Sequence, residues 1–184
     1  MIQQIENFLS EQETKRIIEV AEPRIVKSKT LGANAPSDYR VAEDTWMTRD
    51  LDMCETTVFR LAKLLNESTE KMELPNFIRY QVGGQYKLHH DFFHPNTDYY
   101  EECVRRGGQR KKTALIYLNE NFKGGETDFP KLNTRVTPKT GKLVVWDNLD
   151  DQGNPLKDSL HAGLPVTEGT KYIVVIWIRE RSFN

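Results

Sequence analysis

From Pro75 to Arg179 the chain is a succession of short, β-branched and aromatic-rich runs with no helical stretch between them, and no other feature limits its fold as much. The runs are Asn76–Val82, Tyr86–Phe93, Thr113–Leu118, Thr134–Thr137, Lys142–Trp146, His161–Val166 and Thr170–Arg179, separated by Gly, Pro, Asn and Asp. Seven such runs without crossover helices predict an antiparallel sandwich or jelly roll. Ahead of Pro75 the periodicity is helical. Ser10 and Glu13 form a capping-box pattern before Ile17, Ile18 and Ala21, which predicts a helix over Glu11–Glu22 stopped by Pro23. Cys54, Val58, Leu61, Ala62 and Leu65 make one apolar stripe and predict a second helix. The expected fold class is therefore mainly β (α+β), a jelly-roll core with N-terminal supporting helices.

At 184 residues the chain is expected to be a single domain, 1–184, with 1–75 as helical support and substrate loop and 76–184 as the jelly-roll core. Twenty-six basic against 27 acidic side chains give no global basic field, which disfavours nucleic-acid binding. The longest apolar run, Tyr172–Ile178, is too short for a bilayer, so no membrane partner is expected. The N-terminus lacks the basic and apolar regions of a secretory signal. Two isolated cysteines, Cys54 and Cys103, favour a reducing, cytoplasmic setting. Two segments, Lys27–Arg49 and His94–Lys112, are long enough to read as lids, binding loops or surface insertions.

Histidine occurs only at positions 89, 90, 94 and 161. On a strand, His89 and Asp91 share a face with Cα atoms about 6.6 Å apart, so both can reach one ion, while His90 points away. One further imidazole completes the two-His, one-carboxylate set preferred by non-haem Fe(II) oxygenases, and His161 is the only distant candidate. His-x-Asp alone is a weak signal. The turn Thr167-Glu168-Gly169 suggests that His161–Val166 and Thr170–Arg179 pair as a hairpin. If His161 stands opposite Val175, then Lys171, Ile173, Val175 and Trp177 share its face, with Lys171 about 13 Å along the sheet. That spacing suits a small dicarboxylate chelating the metal at one end and meeting the ammonium at the other. A buried lysine is costly unless an anion pairs with it.

Together these residues resemble the Fe(II)/2-oxoglutarate-dependent dioxygenases, specifically the prolyl 4-hydroxylase catalytic domain. The resemblance runs from about Arg40 to the C-terminus, through Arg79-Tyr80, Tyr86, His89-His90-Asp91, Gly107-Gly108-Gln109-Arg110, Gly124-Gly125-Glu126-Thr127, Pro138-Lys139 with Gly141, Ser159-Leu160-His161-Ala162-Gly163 and Lys171 to Trp177. It implies a double-stranded β-helix in which His89, Asp91 and His161 ligate iron. Lys171, Tyr80 and Thr127 would bind the 2-oxoglutarate cosubstrate. Tyr86, Arg110 and Trp177 would line the peptide groove, and the Arg40–Trp46 segment would close over it. The implied reaction is O2-dependent 4-hydroxylation of a peptidyl proline, giving succinate and carbon dioxide, with ascorbate a candidate accessory. The partner implied is a proline-containing peptide or protein, and oligomeric state is left open.

Alternatives are a 2-oxoglutarate oxygenase acting on free proline, another side chain or a nucleobase, and a catalytically silent jelly-roll binding module. Two departures stand out. Val82 replaces a common Pro, and Arg179 stands where prolyl hydroxylases often place His, which would alter substrate preference if that position touched peptide. The Arg105-Arg106 and Arg110-Lys111-Lys112 cluster is a candidate guide for an acidic partner, although Glu101 and Glu102 beside it suit a solvated loop.

Overall fold

A computed structural model describes residues 1–28 and 38–183. In chain order its strands are β1 (Ile2–Ile5), β2 (Val26–Lys27), β3 (Arg40–Val41), β4 (Glu43–Trp46), β5 (Asn76–Tyr80), β6 (Gln85–His89), β7 (Arg110–Tyr117), β8 (Lys123–Gly124), β9 (Thr127–Phe129), β10 (Thr134–Val136), β11 (Leu143–Asp147), β12 (His161–Gly163), β13 (Val166–Glu168) and β14 (Lys171–Arg179). The α-helices are α1 (Glu11–Ala21), α2 (Cys54–Leu65) and α3 (Tyr100–Arg105).

Seven strands form the major sheet in the order β1-β11-β7-β14-β5-β4-β2, and five form the minor sheet in the order β10-β9-β12-β6-β3. A small β13-β8 ribbon completes the set. All pairings are antiparallel, so the jelly-roll class expected from the sequence is the class observed.

The major sheet separates two cores, and the period-2 alternation of its strands assigns each side chain to one of them. Along β14, Val174, Ile176 and Ile178 join Ile17, Ala21, Leu61 and Ala62 in the core beneath the helices. Ile173 and Val175 join Val144, Trp146, Phe129 and Tyr117 in the core between the sheets. Burying each such aliphatic side chain contributes about 1.5–3 kcal/mol. Helix α1 starts as its sequence predicts, with the Ser10 hydroxyl accepting the Glu13 N–H and the Glu13 carboxylate accepting the Ser10 N–H. The same carboxylate accepts from Arg60 of α2 at 2.5 Å, and this partner holds its acid function down to about 2. One glutamate thus caps α1 and joins it to α2.

Several expectations are corrected. His161–Val166 and Thr170–Arg179 are not hairpin partners: β12 pairs with β6 and β9 in the minor sheet, whereas β14 pairs with β5 and β7 in the major sheet. Thr167 and Glu168, expected as a turn, belong to β13, and the bend at Gly169 leads from it into β14. Residues 1–75 are more than helical support, because β1 and β4 add main-chain pairs to the major sheet and β3 adds them to the minor sheet. Part of the Lys27–Arg49 segment is therefore strand, and its Gly32, Asn34 and Pro36 lie outside the described residues. The His94–Lys112 segment contains α3. Among the described residues no helix is long and apolar enough to cross a membrane.

Candidate active site

The minor sheet assembles the metal-ligand candidates. His89 on β6 and His161 on β12 are direct cross-strand partners, and Asp91 follows two residues beyond the end of β6. The Asp91 carboxylate lies 3.7 Å from His89 Nε2 through Oδ1 and 3.7 Å from His161 Nε2 through Oδ2. One ligand atom from each residue falls within 4.8 Å of the others. Each imidazole is oriented by a carbonyl two residues upstream: His89 Nδ1 meets Lys87 O at 2.7 Å, and His161 Nδ1 meets Ser159 O at 2.8 Å. A carbonyl only accepts, so both Nδ1 atoms carry the proton and both Nε2 lone pairs face the cluster. Burial pushes His89 down to about 3, with His161 adding to the shift, so His89 is neutral and ready to ligate at neutral pH. Burial opposes ionisation of Asp91, yet the His161 and His89 rings and Arg110 hold its carboxyl below the usual range.

Two residues without a sequence-level signal support Asp91. Thr113, fully buried on β7, donates to Asp91 Oδ2 at 2.7 Å, and its own oxygen accepts from the buried Asn148 Nδ2 at 2.8 Å. The relay is directional: Asn148 occupies the threonine oxygen, so the hydroxyl hydrogen goes to the carboxylate. The donor set, two imidazoles and one hydrogen-bonded carboxylate on a rigid sheet, fits a divalent iron centre with positions left open for other ligands.

The ligands open into a cavity of about 770 Å³ between the sheets, lined by every site residue expected from the sequence. Lys171 lies in the facing major sheet, paired in register with Tyr80, so it reaches the cavity across the sandwich rather than along one sheet. It is 2 % exposed, and its ammonium donates to Gly125 O at 2.7 Å over the rings of Tyr80 and Tyr117. Among the described residues it has no ion pair. Burial pushes it down to about 7, with Glu126 the opposing charge. Gly125 is required beside it. Its φ is +68°, and a Cβ there would stand 3.1 Å from Lys171 Cδ and 3.0 Å from the Phe122 ring. Thr127 on β9 hydrogen-bonds the Tyr117 hydroxyl at 2.6 Å, a partner the sequence did not reveal. Burial raises the Tyr80 and Tyr117 phenols, so both remain protonated donors.

The groove candidates gather at the mouth. Tyr86 stacks on His89 with ring centroids 3.5 Å apart and meets Tyr39 edge-on. The Arg110 guanidinium lies 3.8 Å from the Trp177 ring centroid, and Trp46 tilts against Trp177 at 6.0 Å. Trp146, also missed in the sequence, packs edge-on to His161 at 4.8 Å.

The structure answers two questions that the sequence left open. Arg179 does not line the cavity; it is 2 % exposed and bound to Glu73 and to the carbonyls of Cys103, Arg106 and Gly108. The 110–112 basic run is not one free patch: Arg110, Lys111 and Lys112 pair with Glu73, Glu67 and Asp147, each of which also serves a second cation, Arg179, Lys71 and the Met1 ammonium. Strand alternation separates these side chains instead of displaying them as one patch.

Residues 75–179 match the model of the 2OG-Fe(II) oxygenase superfamily. A putative prolyl 4-hydroxylase of Acanthamoeba polyphaga mimivirus is 32 % identical over 181 residues, covering 98 % of this chain and 74 % of that protein. Prolyl 4-hydroxylase subunit alpha-2 of Gallus gallus is 29 % identical over 180 residues, which is 95 % of this chain but only 33 % of that subunit. The crystal structure of the viral collagen prolyl hydroxylase of Paramecium Bursaria Chlorella virus-1, in its 2OG complex, superposes with a TM-score of 0.75 at 28 % identity, covering 97 % of this chain and 95 % of that one. A matching superfamily model over more than half the chain, and a relative aligned along nearly all of it, lead to one conclusion: this chain belongs to the 2OG-Fe(II) oxygenase superfamily, in its prolyl 4-hydroxylase family.

Proposed function

We propose that the chain 4-hydroxylates a prolyl residue in a peptide or protein, consuming 2-oxoglutarate and dioxygen and releasing succinate and carbon dioxide. The observation that carries the reading is Lys171: a buried ammonium without a protein counter-ion, in a cavity whose opposite wall holds two imidazoles and a carboxylate with their ligand atoms turned inward. A dicarboxylate keto acid satisfies both ends, which a monocarboxylate cannot do. His89, Asp91 and His161 would hold Fe(II), which when bound supplies dioxygen activation coupled to oxidative decarboxylation of the keto acid. The atoms balance: one oxygen enters succinate as carbon dioxide leaves, and the other enters the C–H bond as hydroxyl.

The remaining work belongs to the chain. Lys171, with Tyr80 and Thr127 as hydroxyl donors, fixes the distal carboxylate. Ile173, Val175, Leu115 and Trp146 keep the cavity dry around the keto acid. Tyr86, Arg110 and Trp177 border the mouth and would orient the prolyl ring towards the metal. Ascorbate as accessory reductant belongs to the same reading through the family resemblance. A cytoplasmic setting is supported by the two free cysteines, Cys54 and Cys103.

The test is a 2-oxoglutarate consumption screen against proline-containing peptides with product masses measured. A peptide gaining one oxygen per succinate formed is the expected outcome. Succinate formation without oxygen gain on any prolyl peptide would overturn the substrate assignment.

A further inference from the structure

We propose that the groove selects peptides carrying an Asp or Glu beside the target proline, because Arg179, out of reach of the peptide, leaves the groove cation Arg110 only partly neutralised. The inference rests on the peptide-hydroxylase reading above. Its basis is a buried group of two cations and one anion. Glu73, 6 % exposed, accepts from Arg110 Nε and Nη2 at 2.8 Å each, and from Arg179 Nη1 at 2.9 Å. One carboxylate thus serves two guanidiniums, and one positive charge is left over.

The two arginines differ in what they have free. Arg179 spends its other nitrogens on Gly108 O at 3.0 Å and on the carbonyls of Cys103 and Arg106 at 2.5 and 2.7 Å. Arg110 Nη1 has no hydrogen bond or ion pair among the described residues, and the guanidinium is part of the groove wall, between the rings of Trp177 and Phe93. The uncompensated charge is therefore presented to whatever occupies the groove.

The other charged groups lining the cavity do not cancel it. Those groups are Lys27, Arg40, Asp44, Asp91, Arg110 and Lys171. Arg40 and Asp44 form an ion pair at 2.9 Å. With the site loaded, Asp91 and one cosubstrate carboxylate balance the metal, and Lys171 balances the other carboxylate. Lys27, exposed at the rim and without an ion pair among the described residues, adds to the positive sign. A carboxylate donated by the peptide meets a planar cation already fixed by Glu73 and stacked on Trp177, so little side-chain entropy is lost on pairing. A buried charge without a full counter-ion is costly, and a peptide carboxylate relieves that cost.

The experiment uses three proline peptides identical except for Glu, Gln or Lys at one position, placed in turn on each side of the proline. kcat/KM for hydroxylation is measured at low and high salt. From at least one side, the Glu peptide is expected to exceed the Lys peptide at least tenfold, with Gln between. Arg179→Met is expected to shrink that ratio to about twofold, because Glu73 then neutralises Arg110 alone; a purely structural role for Arg179 would lower all three rates together and leave the ratio unchanged. Equal kcat/KM for the Glu and Lys peptides from both sides in the wild-type enzyme overturns the charge preference alone, whether or not the variant folds. Failure to hydroxylate every member of the series overturns the peptide-hydroxylase reading with it.

Discussion

Lys171 carries a consequence that runs against ordinary surface lysines. Its ammonium sits near 7 in the folded chain against an ordinary 10.5. Between those values the unfolded chain holds a proton that the cosubstrate-free fold does not, so stability without cosubstrate rises with pH across that window. Binding a dicarboxylate restores the proton, so cosubstrate affinity weakens as pH climbs above about 7. Lys171→Met is expected to raise Kd for 2-oxoglutarate by about 100-fold, the loss of one buried charge pair, while not lowering, and at pH 7 raising, Tm of the cosubstrate-free protein. Calorimetric titration and a thermal melt check the two halves separately; a lower Tm would mean that the lysine stabilises the empty fold. Asp91 depends on its relay in a comparable way. Thr113→Val keeps the shape and removes the donor, and is expected to weaken metal binding about 10- to 100-fold, read by Co(II) absorption titration with the melt unchanged within a few degrees. Residue by residue, the legible part of this site was the rare part. Four histidines and one lysine on an apolar strand stand out in a sequence, whereas Thr113, Asn148 and Glu73 are ordinary polar residues whose roles come from what they face after folding.

Among elements, helices and long strands announce themselves and short strands do not. The Ser10 capping box and the Cys54 to Leu65 stripe set α1 and α2 locally: α1 ends within one residue of the expected bound, and α2 runs over the stripe. Strands β2, β3 and β8 have two residues each, too few for any alternation to register. The β12 and β14 pairing was misread because Thr167-Glu168-Gly169 reads as a short turn although Thr167 and Glu168 belong to β13, and such a signal suits a hairpin as well as a passage between sheets. Only the partners β6 and β7, far off in sequence, distinguish them. Lys171 still reaches the cavity, since the inward parity of β14 is the same in either geometry. The turn before β11 supplies a test at this scale. Gly141 has φ +74°, and a Cβ there would lie 1.9 Å from Leu9 O, where the N-terminal segment docks by the Leu9 N–H to Gly141 O bond. Gly141→Ala is expected to cost at least about 1–3 kcal/mol and, at about 2–4 °C per kcal/mol for a chain of this size, to lower Tm by several degrees. An unchanged melt would show that this docking contributes nothing to the fold.

At the scale of the molecule, the sandwich places unlike chemistry on its two walls. The minor sheet supplies His89, His161 and Thr127, and the major sheet supplies Tyr80, Lys171 and Trp177, all lining one cavity. Metal and 2-oxoglutarate should therefore stabilise the protein cooperatively, since each completes a cavity the other half fills. Tm is expected to rise more with both than with the sum of each alone, and a chelator should return it to the value with 2-oxoglutarate alone. The single measurement that reaches furthest is hydroxylation of a prolyl peptide under isotopically labelled dioxygen, with peptide and succinate both weighed. One labelled oxygen atom in the peptide and one in succinate, in equal amounts, is the predicted result. Label in succinate with none in the peptide, or an oxygen gain drawn from water, would contradict the account.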